Sequence, residues 1–117
     1  MPLIRLETSC DLGTVEQRQA LTLSLSRIAA DSIGKPEQYV MACVHDNLAM
    51  TMGGSDQSCA LVSVQSIGGL DREVNQKLAS AVGQLLEGEI DIPQDRVYCV
   101  FEERPATFWA WKGKTFG

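Results

Sequence analysis

The chain opens MPLIRLE, and the second residue is the first that could do chemistry. Proline is the only residue whose free α-amine is secondary. Pro2 gains that amine only if Met1 is removed, and a small second residue such as proline generally permits the removal. An unperturbed α-amine titrates at about 7.7–8.0, and an apolar pocket next to another cation disfavours its protonated form. Such an amine moves toward neutral pH, where a general base works best. The plainer reading of Pro2 is a frayed terminus. Lys35, in the GKP turn at 34–36, could supply both the neighbouring cation and an anchor for a substrate carboxylate. Its plainer role is a helix-end lysine facing water and complementing the dipole.

Other reactive side chains are few. Cys10, Cys43, Cys59 and Cys99 form no C-x-x-C pair. Cys43 and Cys99 lie inside the apolar runs YVMACV and VYCVF, which predicts buried free thiols. His45 is the sole histidine, so a metal site would need convergent carboxylates that the sequence does not offer; none is expected, nor any organic cofactor. His45-Asp46 reads as a solvated turn. The net charge of −5, with no basic stripe, disfavours nucleic acid as a partner. No apolar run reaches the length of a membrane span. Arg5, Glu7 and Asp11 interrupt any leader-like stretch, so a cytoplasmic protein is expected.

At 117 residues the chain is long enough for one domain, spanning 1–117, and its 44% hydrophobic content is enough for a core. Placing Pro36 over Pro93 superposes two halves at an offset of 57 residues. Leu21, Leu25, Ile28, Ala29 and Ile33 then fall on Leu78, Val82, Leu85, Leu86 and Ile90, one helical face in each half. Helices are predicted from Thr14 to Ile33 and from Asp71 to Glu89, with Thr14 and Gln17 as a capping box and Asp71 as an N-cap. LIRLE, YVMACVH, CALVSVQSI and VYCVFEE read as flanking strands. The order βαβ-βαβ implies an α+β sandwich of two layers, a four-stranded sheet with both helices on one face. The strands read as apolar on both faces, which calls for a second cover from other copies of the chain, closed by cyclic symmetry. The aromatic tail FWAWKGKTFG could be interface, pocket wall or local core.

MPLI, GKPEQYV, MTMGGS, CALVSVQSIGGL, IPQDRVYCVF and WAWKGKTFG, in this order and nearly end to end, resemble the macrophage migration inhibitory factor family of the tautomerase superfamily. The resemblance implies a homotrimer with sites at the subunit boundaries and keto–enol tautomerase activity of the phenylpyruvate or dopachrome type. Pro2 would be the catalytic base, and Lys35 and the backbone amide of Ile67 would contact the substrate. Tyr98 would come from a neighbouring subunit, Trp111 and Phe116 would form an aromatic wall, and Leu3 and Tyr39 would line the entrance. The substrate would be a small aryl α-keto acid or its enol. Secretion without a leader and a receptor partner also fit the resemblance, and the alternative function is a cytokine-like or receptor-binding trimer with vestigial catalysis. A small-molecule regulatory domain is the other rival, and it would have no use for a free amine at Pro2. Departures are CALV, where vertebrate cytokines carry C-x-x-C; Val100, where asparagine is common; Trp109, where a smaller aliphatic residue is common; and GGLD, which lacks a basic residue. Val100 and Trp109 imply a drier, tighter pocket.

Overall fold

A computed structural model describes residues 1–117. Strand β1 (Pro2–Thr8) is followed by helix α1 (Val15–Ile33), strand β2 (Met41–His45), strand β3 (Ala60–Ser66), helix α2 (Arg72–Ile90) and strand β4 (Val97–Glu103). Two short strands, β5 (Ala110–Trp111) and β6 (Lys114–Thr115), close the chain as a hairpin. The sheet order is β2-β1-β3-β4. β1 runs parallel to β2, β3 runs parallel to β4, and the two units join through the antiparallel pair β1/β3.

The doubling extends to the caps. Thr14 Oγ1 accepts from Gln17 N at 3.2 Å, while Gln17 Oε1 accepts from Thr14 N at 2.8 Å, which is the reciprocal capping box. Gly13, at φ 88°, admits this return because a Cβ there would collide with the Gln17 amide. In α2, Asp71 Oδ1 accepts from Val74 N at 2.8 Å. Both helices end in the left-handed region, at Gly34 (φ 76°) and Asp91 (φ 55°), positions related by the repeat. Pro36 and Pro93 then open equivalent single 3₁₀ turns, Glu37–Tyr39 and Gln94–Arg96, that feed β2 and β4. Helix and sheet meet over one core. Leu21, Leu25 and Ala29 of α1 and Leu78, Val82 and Leu86 of α2 pack on Ile4, Leu6, Val62 and Val64. Burying each of the larger side chains contributes about 1.5–3 kcal/mol.

The opposite sheet face corrects the expectation of a sheet apolar on both sides. β1 and β3 alternate strictly, with Pro2, Ile4, Leu6 and Thr8 and Ala60, Val62, Val64 and Ser66 buried toward the helices. Their other positions include Arg5, Glu7, Ser63 and Gln65, so the middle of the open face is polar. The run Val97–Phe101 splits in the same way, sending Tyr98 (65% exposed) and Val100 (54%) outward. On this face, exposed apolar area therefore lies on the edge strands, where Met41 is 68% exposed.

The turn after β2 is also more than solvated chain. His45 is exposed, but Asp46 accepts from Leu12 N at 3.0 Å and from Arg18 Nη2 at 2.8 Å, tying β2 to the start of α1. The Leu12 amide first, and Arg18 beside it, hold this carboxyl below the usual range. Of the thiols, Cys59 is buried, while Cys10, Cys43 and Cys99 are partly buried. Burial pushes the Cys99 thiol up to about 11.

Candidate active site

The head of β1 is where the predicted chemistry gathers. Pro2 is buried and pairs in register with Ser66, the last residue of β3. Chain continuing from β3 folds back over it, and Ile67 N donates to the Met1 carbonyl at 3.4 Å. Lys35 follows the Gly34 cap and crosses the same turn: a Cβ on Gly69 would stand 3.3 Å from Lys35 Cε. The Met1 amine lies within this cluster. Burial, and then the charge of Lys35, lower its pKa below the ordinary α-amine value.

In front of Pro2 opens a cavity of about 300 Å³ whose wall includes Leu3, Tyr39, Trp109, Trp111 and Phe116. The aromatic rings are mutually ordered. Tyr39 meets Trp111 edge-on, with centroids 5.7 Å apart, and Phe116 stacks on Trp111 at 6.4 Å and 11°. The β5/β6 hairpin sets this arrangement. Lys112 (φ 53°) and Gly113 (φ 78°) form its two-residue turn, pairing Trp111 with Lys114, and Phe116 N donates to Trp109 O at 3.0 Å. Lys112 Nζ sits 4.5 Å from the Trp111 ring centroid, a cation–π contact on the same ring. The tail is thus pocket wall, one of the three readings open from sequence. Lys-Gly between residues able to pair was the available signal for the hairpin.

One chain therefore lines the cavity with Pro2, Leu3, Tyr39, Trp111 and Phe116, while Ile67 and Lys35 stand beside Met1 and outside the cavity wall. The same chain does not bring Tyr98. Tyr98 pairs with Leu61, which pairs with Glu7, so it is level with the far end of β1 and two strands away. Five residues along a strand cover about 17 Å, beyond the reach of a tyrosine side chain from its own Pro2. A second cavity of similar size, about 320 Å³, lies between the helices around Leu12, Leu21 and Ile90. Its only ionisable lining residue is Glu89, so it lacks the paired amine and cation found at the head of β1.

The family model for macrophage migration inhibitory factor (MIF) matches residues 1–117. The chain belongs to the MIF family. A MIF homolog of Brugia malayi is 34% identical over 117 residues, covering all of both chains. Among solved structures, a MIF homologue from Prochlorococcus marinus superposes with a TM-score of 0.90 at 37% identity, over 98% of this chain and 99% of that one. MIF of Toxoplasma gondii also gives 0.90, at 30% identity over 97% and 99%. The fold is thus that of MIF proteins, within the tautomerase superfamily. No helix of the chain is long and apolar enough to cross a membrane.

Arg96 was not singled out from sequence. Its guanidinium donates to the carbonyls of Met52, Ser55, Gln57 and Ser58 at 2.9–3.3 Å, pinning the loop before β3. The signal was the DRV tripeptide that opens β4 opposite a glycine-rich loop, and spacing alone could not connect the two.

Proposed function

We propose that this MIF-family chain is a keto–enol tautomerase that acts on a small aryl α-keto acid through its enol, with the Pro2 nitrogen as general base once Met1 is removed. The observation that carries the reading is the position of the Met1 main chain. Its carbonyl occupies the Ile67 N–H, and its amine sits where burial and Lys35 disfavour positive charge. Removing Met1 frees that N–H donor and leaves the secondary amine of Pro2 beside the same cation. The Met1 carbonyl oxygen stands in for a substrate oxygen.

In the reaction, the substrate carboxylate faces Lys35 and the Ile67 amide, and the aryl ring lies against Trp111 and Phe116. The neutral Pro2 nitrogen takes the enol proton, and the resulting ammonium delivers a proton to the adjacent carbon, giving the ketone. The same site suits dopachrome-like compounds, which also carry a carboxylate and a mobile proton. Trp109 and Leu3 narrow the cavity and keep it apolar, which strengthens the Lys35–carboxylate attraction. In this proposal the working form is a homotrimer, in which a neighbouring copy supplies Tyr98 and the exposed Met41, Tyr98 and Val100 edges are covered. The test follows the enol absorbance of phenylpyruvate. Decay accelerated by the Met1-free chain supports the proposal, whereas decay at the buffer rate returns the protein to a partner-binding trimer without catalysis.

A further inference from the structure

The β5/β6 hairpin that sets the aromatic wall carries two cations that the proton transfer does not use. Trp111 and Lys114 pair in register, so their side chains leave the same face of the hairpin. Lys112 Nζ stands 4.5 Å from the Trp111 ring centroid. Trp111 is thus flanked by one ammonium at the turn and another across the strand pair. The ion pairs of the chain join Arg18 to Asp11 and Asp46, and Arg104 to Glu102, so neither hairpin lysine belongs to one. Glu37, in the 3₁₀ turn that carries Tyr39, is exposed and pairs with neither of them. Residues 104–117 hold Arg104, Lys112 and Lys114 and no acidic side chain, although the whole chain has a net charge of −5.

The turn itself does not call for lysine. Lys112 (φ 53°) and Gly113 (φ 78°) both lie in the left-handed region, where two-residue turns favour asparagine, aspartate or glycine at the first position. A lysine kept in that conformation points to a task for its side chain. The task is separate from that of Lys35, which alone among the cations acts on the Met1 amine. In the pose proposed above, the keto-acid end of the substrate lies by Lys35 and the ring lies against Trp111, so the far edge of the ring is turned toward the hairpin lysines. We infer that Lys112 and Lys114 bind a second anionic group on that edge, which makes the substrate class an aryl α-keto acid whose ring bears a carboxylate opposite its keto-acid arm. The inference rests on the tautomerase reading for the pose, and it names the substrate that the same site selects. An ammonium has three donors, so Lys112 can hold a carboxylate while keeping its place over Trp111. Both lysines are exposed, and water screens them, so they set the choice among substrates more than they add tight binding.

The experiment measures binding rather than turnover, with two ligands that cannot tautomerise, 4-carboxyphenylacetate and phenylacetate. The two tryptophans of the chain, Trp109 and Trp111, both line the cavity, so their fluorescence reports binding there. At low ionic strength the Met1-free chain is expected to bind the dicarboxylate at least about threefold more tightly than the monocarboxylate, and added salt to shrink the difference. The double variant Lys112→Asn, Lys114→Gln is expected to lose the preference, and asparagine suits the left-handed turn. The double arginine variant, which keeps both charges, should retain the preference, and Lys35→Ala should weaken both ligands without abolishing it. Equal affinities in the parent would overturn the inference, as would a preference that survives in the Asn/Gln variant. A preference that depends on the two lysines, in a chain that leaves phenylpyruvate enol decaying at the buffer rate, would uphold the anion site and sink the catalytic reading alone.

Discussion

Lys35 directly follows the Gly34 cap, and the end of its methylene stem passes close to the Gly69 turn. Loss of a charged hydrogen-bond partner in a partly dry site costs about 1.5–3 kcal/mol. Lys35→Ala is therefore expected to raise KM for phenylpyruvate enol about tenfold or more, and Lys35→Arg less, since arginine keeps the charge but changes the geometry. Equal Michaelis constants for parent and alanine variant would make Lys35 a solvated helix-end cation. The thiols should matter little. Burial pushes the Cys99 thiol up to about 11, which leaves it protonated at pH 7, and Cys59 is buried away from any substrate. Replacing all four cysteines by serine or alanine is expected to leave turnover within a few-fold. Its abolition in a correctly assembled protein would reveal a thiol role.

At the level of elements, the tie from Asp46 to Leu12 and Arg18 joins β2 to the start of α1 and carries a pH signature. The folded-state carboxyl is more acidic than the unfolded one, so its stabilisation is present above the ordinary carboxylate pKa and fades as pH falls through the folded value. Asp46→Asn is expected to lower Tm at pH 7, and the gap from the parent should close as pH drops below about 4. A gap that stays constant with pH would rule out the charge as its cause. Much of this level was legible in the sequence. The repeat placed the helices, the proline turns and the caps, because capping residues announce themselves locally at Thr14, Gln17 and Asp71. Strand order was not legible, since apolar spacing does not encode whether β1 meets β3 or β4. The expectation of two apolar faces fails in β1 and β3, where Arg5, Glu7, Ser63 and Gln65 point outward, and not in β2 and β4, whose outward Met41, Tyr98 and Val100 are apolar. The Asp46 tie spans 28–34 residues and left no local mark.

For the whole molecule, Tyr98 lies too far along the sheet to reach its own Pro2, so the proposed site takes this residue from a neighbouring copy. Complementation tests this. Pro2→Gly and Tyr98→Ala chains, each impaired alone, are expected to recover activity when unfolded together and reassembled, because mixed assemblies contain some sites with both residues intact. Absence of recovery in demonstrably mixed assemblies would confine the site to one chain. Pro2 and Lys35 stand out in the sequence by their own chemistry, whereas the other residues of the proposed pocket were readable only through family resemblance. Tyr39, Trp111 and Phe116 come together through a hairpin of two-residue strands too short to show a pattern.

The central claim is that the terminal nitrogen of Pro2 moves the proton. It is tested most directly by comparing two preparations of otherwise identical chain, one shown by intact mass to lack Met1 and one shown to retain it. With Met1 retained, the Pro2 nitrogen is an amide and the Ile67 N–H stays occupied. The processed chain is expected to ketonise phenylpyruvate enol with an activity that rises through a pKa below about 7.7–8.0, and the Met1-bearing chain to be inactive. Equal turnover by the two preparations would contradict the assignment of Pro2 as the base.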